Sequence, residues 1–240
     1  MQLDRRFVLL ALPSAAAISA CETLDPAILE GLGGFGPLTE GEAALGIKAA
    51  LNNGVDHAIG KIGILNGFWG NGRIEVPLPN TLKDIQSALR VVGADGILNE
   101  LHQQLNRGAE KAIPVAKDIF VDTITSMSIR DAINIVQGPD DAATTYLRQN
   151  TSNSLANLFS PIMENALEGT GALRLLDDVT NELRGIPFGP QLGVDARRDL
   201  ISHGVDFGLK GLFTYVEDEE RAIRRDPAKR TSEILRRVFG

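Results

Sequence analysis

From Thr39 onward, apolar residues recur at helical spacing along almost the whole chain. Ile47, Leu51, Val55 and Ile59 stand four apart and predict a helix with one buried stripe. Thr39-x-x-Glu42 ahead of them is a capping box, in which hydroxyl and carboxylate satisfy free backbone N–H groups, so the helix begins there. Leu82, Ile85, Leu89 and Val92 mark a second helix, stopped at Gly93. Ile97, Leu98, Leu101, Leu105, Ala109 and Ala112 mark a third, and Val115, Ile119, Phe120 and Ile124 carry it on across a kink at Pro114. Ser128-x-x-Asp131 opens a short helix through Ile129, Ile133 and Val136, closed by Gly138. Asp140 or Asp141 is placed to cap the next, which runs through Tyr146. Leu155, Leu158, Phe159, Ile162, Met163 and Ala166 build a separate one, and Leu173, Leu176, Val179 and Leu183 another. Beyond a Gly- and Pro-rich loop at Gly185–Gly193, Asp199–Arg225 is the last long helical region and Ser232–Phe239 a short terminal helix.

Two stretches break this rhythm. Gly60–Gly72 is glycine-rich, and Gly67-Phe68-Trp69-Gly70 places the single Trp there, where it reads first as a plug for the end of the bundle and otherwise as a contact for a ligand or the membrane interface. Arg73-Ile74-Glu75-Val76 alternates polar and apolar residues before Pro77 and Pro79, which reads as a short strand. The expected fold is therefore all-α: a bundle of eight or more helices with at most one short β-strand pair.

The first 38 residues follow a different pattern. Arg5-Arg6, the apolar run Phe7–Ala17 and the small residues Ser19-Ala20 have the three parts of a secretory signal, and the run is too short to span a bilayer. Immediately after comes Cys21, the single cysteine of the chain. The arrangement resembles a bacterial lipoprotein signal, which would make Cys21 the first mature residue and the site of acylation, palmitate included. Two or more acyl chains make a stable anchor, at ~0.8 kcal/mol per buried methylene. Glu22 in place of Asp at the next position points to the inner leaflet of the outer membrane, facing the periplasm. The arginine pair leaves Sec and twin-arginine export both open. Glu22–Leu38, with Pro26, Pro37 and four glycines, reads as a tether. The expected organisation is residues 1–20 signal, 21–38 lipidated N-terminus and tether, and 39–240 one helical domain.

The formal charge is −7, and removing Asp4, Arg5 and Arg6 with the signal leaves −8. That acidity opposes binding to nucleic acid. A hydrophobic fraction of 43% is that of an ordinary globular chain.

Candidate chemistry is sparse. There is no His-Glu-x-x-His, no nucleophile elbow and no phosphate loop, and the one thiol is the acylation site. His203 has Asp199 and Asp206 at helical spacing, but reads first as an ordinary polar residue. The densest polar set lies in Asn106–Asp122 and comprises Asn106, Arg107, Glu110, Lys117, Asp118 and Asp122, in which Asp118 and Asp122 share a helix face. Paired carboxylates can act as acid and base or ligate a divalent cation, although calcium asks for six to eight oxygens. The run Glu217–Arg225 reads as a solvated face with ion pairs Glu217–Arg221 and Glu220–Arg224. No cofactor is implied.

Several segments, in this order, resemble a known family. They are Ile74–Pro79, Asn106–Ala112 with Ala116–Phe120, Met127–Ala132, Gly138–Thr144, Gly211–Phe213 with Glu219–Arg224, and Ile234–Gly240. Together they are similar to a proteobacterial all-helical lipoprotein family, the domain of unknown function 4197 family, over roughly Gly46–Gly240. The resemblance implies a helical, lipid-anchored envelope protein and carries over no activity and no site residue. Three functions follow as expectations. One is a non-enzymatic domain binding another envelope protein. Another is a carrier of a small apolar ligand in a cavity lined by Phe120, Ile133, Phe159 and Phe213. The third is a metal-dependent enzyme built on Asp118, Asp122 and Glu110.

Overall fold

The computed structural model describes residues 39–226 except 92, 94, 170, 185–192 and 194, together with 228 and 236. The signal, Cys21, the tether, most of the Gly185–Gly193 loop and the terminal Ser232–Phe239 helix thus lie outside the described residues, save Gly193 and Arg236. The described elements are all helical: α1 (Glu40–Ile62), α2 (Asn80–Val91), α3 (Gly96–Ala112), α4 (Ala116–Ser126), α5 (Ile129–Gln137), α6 (Ala142–Gly169), α7 (Ala172–Arg184) and α8 (Ala196–Arg225). A 3-10 turn, Ile113–Val115, joins α3 to α4, so these two also count as one helix bent at Pro114. Leu38–Gly240 forms one compact unit.

Local sequence sets the helix starts. Thr39 and Ser128 both close capping boxes, with Glu42 and Asp131 reaching back to the cap residue. α6 is longer than the pattern predicts: the separate helices expected through Tyr146 and from Leu155 are one helix of 28 residues. It runs on through Pro161, which has no N–H to offer. The polar stretch between the two apolar runs looks like a break, but tertiary packing overrides it: Thr151 is fully buried and its hydroxyl donates to Leu147 O at 2.7 Å.

α6 is the hub, packing on α3, α4, α5, α7 and α8, and α8 packs in turn on α1 and α3. Thr144 near the start of α6 meets Glu220, whereas Met163 near its end lies against Gly204, so α6 and α8 run antiparallel. Met163 fills notches in two neighbours at once. A Cβ on Gly108 would lie 2.4 Å from its sulfur and one on Gly204 3.0 Å, so α3 and α8 both close on α6 through absent side chains. One continuous apolar cluster draws residues from every helix, with Phe120 and Phe159 fully buried in it.

No strand forms among the described residues, which corrects the reading of Arg73–Val76. The segment has no neighbouring strand to pair with. The N–H groups of Arg73, Ile74 and Glu75 instead turn back to Asn71, and the backbone of Val76 is met by side chains of α3, as described next.

Candidate functional site

Helix α3 faces the 63–79 connection with three polar side chains one turn apart, His102, Asn106 and Glu110. Asn106 is completely buried. Its amide oxygen accepts from Val76 N at 2.8 Å, and its nitrogen donates to Val76 O at 2.9 Å. One side chain thus supplies the donor and acceptor that a partner strand would give. His102 Nε2 adds a contact to Val76 O at 2.9 Å and lies 3.3 Å from Glu75.

Glu110 is 5% exposed and does similar work further along the loop. One carboxylate oxygen accepts from Phe68 N and Trp69 N, both at 3.1 Å, and the other from Arg107 Nη1 at 2.7 Å. Arg107 also donates to Asn66 Oδ1 at 2.8 Å, and Asn66 holds a left-handed φ of 65°, which asparagine tolerates better than most residues. The charge of Glu110 is thereby balanced by one guanidinium and two backbone dipoles.

The plug expected of Trp69 is supplied by its neighbour: Phe68 is fully buried, whereas Trp69 is half-buried and meets the His102 ring edge-on at 5.0 Å. The plug fits because α8 has a glycine opposite: a Cβ on Gly211 would stand 2.6 Å from the Phe68 ring. From α8, His203 Nε2 contacts Pro77 O at 2.7 Å and stacks on Phe207, rather than turning to Asp199 or Asp206. Tyr215 accepts from Asn71 at 2.8 Å, and Asp218 binds Arg73 at 2.7 Å, raising the arginine further above its ordinary value.

Of the six polar residues singled out in the sequence, Asn106, Arg107 and Glu110 are together in this clasp, and Lys117 pairs with Asp56 at 2.9 Å. Asp118 and Asp122 are exposed on α4 and belong to no ion pair among the described residues. Among the described residues no three His, Cys, Asp or Glu side chains form a group that could hold a metal ion.

The charged run at the end of α8 is only partly a solvated face. Glu217–Arg221 and Glu220–Arg224 pair as expected, at 2.5 and 2.9 Å, but Glu219 and Glu220 are buried. Glu220 accepts from Ala143 N at 2.9 Å and from Thr144 N and Oγ1, each at 2.8 Å. This carboxylate therefore caps α6, the role that the sequence assigns to Asp140 or Asp141. Asp140 instead binds Arg225. Arg224 donates to Ile135 O at 2.7 Å and Val136 O at 3.4 Å, so the same ion pair also caps the C-terminal end of α5. Each charge meets the helix end of opposite partial charge. Glu219 holds Lys61 at 2.7 Å and His57 at 3.3 Å. These caps span some 76 to 89 residues of sequence, and no local signal announces them.

Of the apolar residues expected to line a ligand cavity, Phe120 and Phe159 have no exposure and Ile133 is half-buried. Phe120 meets Phe213 edge-on at 5.9 Å, a core packing contact. An apolar cleft does open between α1 and α8, lined by Ile47, Ala50, Gly54, Val216 and Ile223, but its volume is only about 20 Å³.

A family profile described as "Protein of unknown function (DUF4197)" matches residues 37–240. The chain belongs to this family. The match takes in every helix and all of the clasp, so both are part of the family's domain. No curated protein and no solved structure matches the chain.

Proposed function

We propose that this member of the DUF4197 family is a lipid-anchored lipoprotein of the cell envelope, held by acylated Cys21 in the outer membrane, whose helical domain binds another envelope component without catalysing a reaction. One observation carries the second half. The buried polar groups most available for chemistry, Asn106, Glu110 and Glu220, are spent on the protein's own backbone. A catalytic acid or base needs a free position toward its substrate, whereas Glu110 holds two backbone N–H groups and a guanidinium. Support for the first half is the order signal, lone cysteine, Gly/Pro segment, helical domain in the sequence. No helix among the described residues is long and apolar enough to cross a membrane, so attachment falls to the N-terminus in this reading.

Carriage of a small apolar ligand is the second reading, and the cleft between α1 and α8 is its place. A volume of about 20 Å³ holds roughly one water, so that reading requires the two helices to part.

Cys21→Ser tests the anchor: the variant leaves the membrane fraction, and intact-mass analysis loses the acyl increment. Unchanged fractionation together with an unacylated wild-type mass would refute it. Mass spectrometry of molecules co-purifying with the delipidated protein separates the readings, a lipid-like molecule favouring carriage and a stoichiometric protein favouring scaffolding.

A further inference from the structure

Two connections meet where α3 ends. Gly63, just past α1, packs so closely on the 3-10 turn that a Cβ there would stand 3.1 Å from both Ile113 and Pro114. The residues beside this contact are large, aliphatic and open to water: Ile64 is 56% exposed, Leu65 73% and Val115 36%. They make a protruding apolar tip at one end of the bundle.

The tip is held out by its own structure. Gly67 N donates to Ile64 O at 2.9 Å, which closes the turn beneath the aliphatic pair. Asn66, next in the chain, has a left-handed φ and is fixed by Arg107, which Glu110 fixes in turn. The polar clasp therefore has an outward product, because it presents Ile64 and Leu65 where a slack loop would let them fold back. A single exposed aliphatic residue is ordinary, but a contiguous group on a built turn marks a contact surface.

The charges around the tip say what it contacts. Lys61, Lys111 and Lys117 are exposed beside it, and Lys111 belongs to no ion pair among the described residues. The acids Glu110 and Glu219 are buried beneath, which leaves Asp118 and Asp56 exposed, Asp56 being paired with Lys117 at 2.9 Å. A chain of formal charge −7 thus sets cations around its apolar tip. An anionic lipid surface suits this combination: it takes in protruding apolar groups without a matching pocket and attracts lysines at the level of its headgroups.

We propose that the tip formed by Ile64, Leu65 and Val115 inserts into an anionic phospholipid membrane. It gives the domain a second hold on the membrane, which rests on the lipid-anchored reading above for the first hold but not for the insertion itself.

Single-thiol labelling tests the insertion. In the acylated full chain the thiol of Cys21 carries the lipid, so a nitrobenzoxadiazole dye reaches only Leu65→Cys. On vesicles of phosphatidylethanolamine and phosphatidylglycerol its fluorescence should rise at least about threefold and shift to the blue, as the headgroup–acyl boundary is less polar than water. The same dye on Ser87→Cys should change by less than about 1.2-fold, as a group outside that boundary does. Ser87 is exposed near the start of α3, where its neighbour Gln86 donates to Asn99 at 2.8 Å, away from the tip. Ile64→Asp with Val115→Asp, both at exposed positions, should abolish the rise at position 65. If Cys21 proves unacylated, the Cys21→Ser chain takes the same label and the same criterion, so failure of the anchor and failure of the tip are read apart. A Leu65→Cys label that stays silent with vesicles present overturns the proposal, and sedimentation of the chain then reports on the anchor alone. Equal responses at positions 65 and 87 overturn it as well. So does a response seen only when envelope proteins are added, which would make a protein the partner.

Discussion

A single amide, Asn106, holds an extended segment that has no strand beside it. Both backbone groups of Val76 depend on it, and Val76 is fully buried. Losing the amide leaves a buried N–H unmet, while His102 still reaches the carbonyl. Since an orphaned buried group costs about 1–3 kcal/mol, Asn106→Leu should lower the unfolding free energy by about 2–3 kcal/mol. Urea denaturation followed by circular dichroism measures it, and a loss under about 0.5 kcal/mol would contradict this account. The role was not legible beforehand. Val76 follows an alternating pattern and Asn106 falls on a helix, and nothing in either stretch says that they meet. Arg107 and Glu110 were legible as a polar pair at helical spacing, but their target, the Phe68–Trp69 backbone, lies about forty residues away.

Helix starts divide into two kinds. α1 and α5 carry their caps within four residues, and both are read directly from Thr39-x-x-Glu42 and Ser128-x-x-Asp131. α6 takes its cap from Glu220 on α8, and α5 ends on Arg224 from the same turn of α8. Two helix ends thus share one buried ion pair. Glu220→Ala uncaps α6 and removes the carboxylate that Arg224 meets at 2.9 Å. Breaking such a pair by removing one partner costs about 3–5 kcal/mol. Glu220→Ala should lower the unfolding free energy by about that much, and its effect should be coupled to that of Arg224→Ala. A double-mutant cycle in urea decides it, strictly additive losses being the contrary result. The apolar periodicity that predicts most helices was legible for the same reason that these caps were not: a stripe is written within one element, and a long-range cap between two.

For the molecule as a whole, one apolar cluster runs through all the helices, and Leu38–Gly240 is a single compact unit. A chain beginning at Leu38 should unfold in one transition, as a single compact unit with one continuous core does. Matched thermal and urea melts would show it, and transitions that do not coincide would mean that the unit divides.

The shared ion pair also sets a direction in time. Its two charges are the 220th and 224th residues of 240, while the helix ends that they complete were made some 76 to 89 residues earlier. During synthesis the middle of the bundle thus waits, its helix termini open to water, for the last helix to arrive. Ribosome-bound chains ending before Glu220 lack the closure and should remain open to protease where the finished protein is not. Stability in this molecule comes late and from the C-terminal side, opposite to the end from which the chain is made.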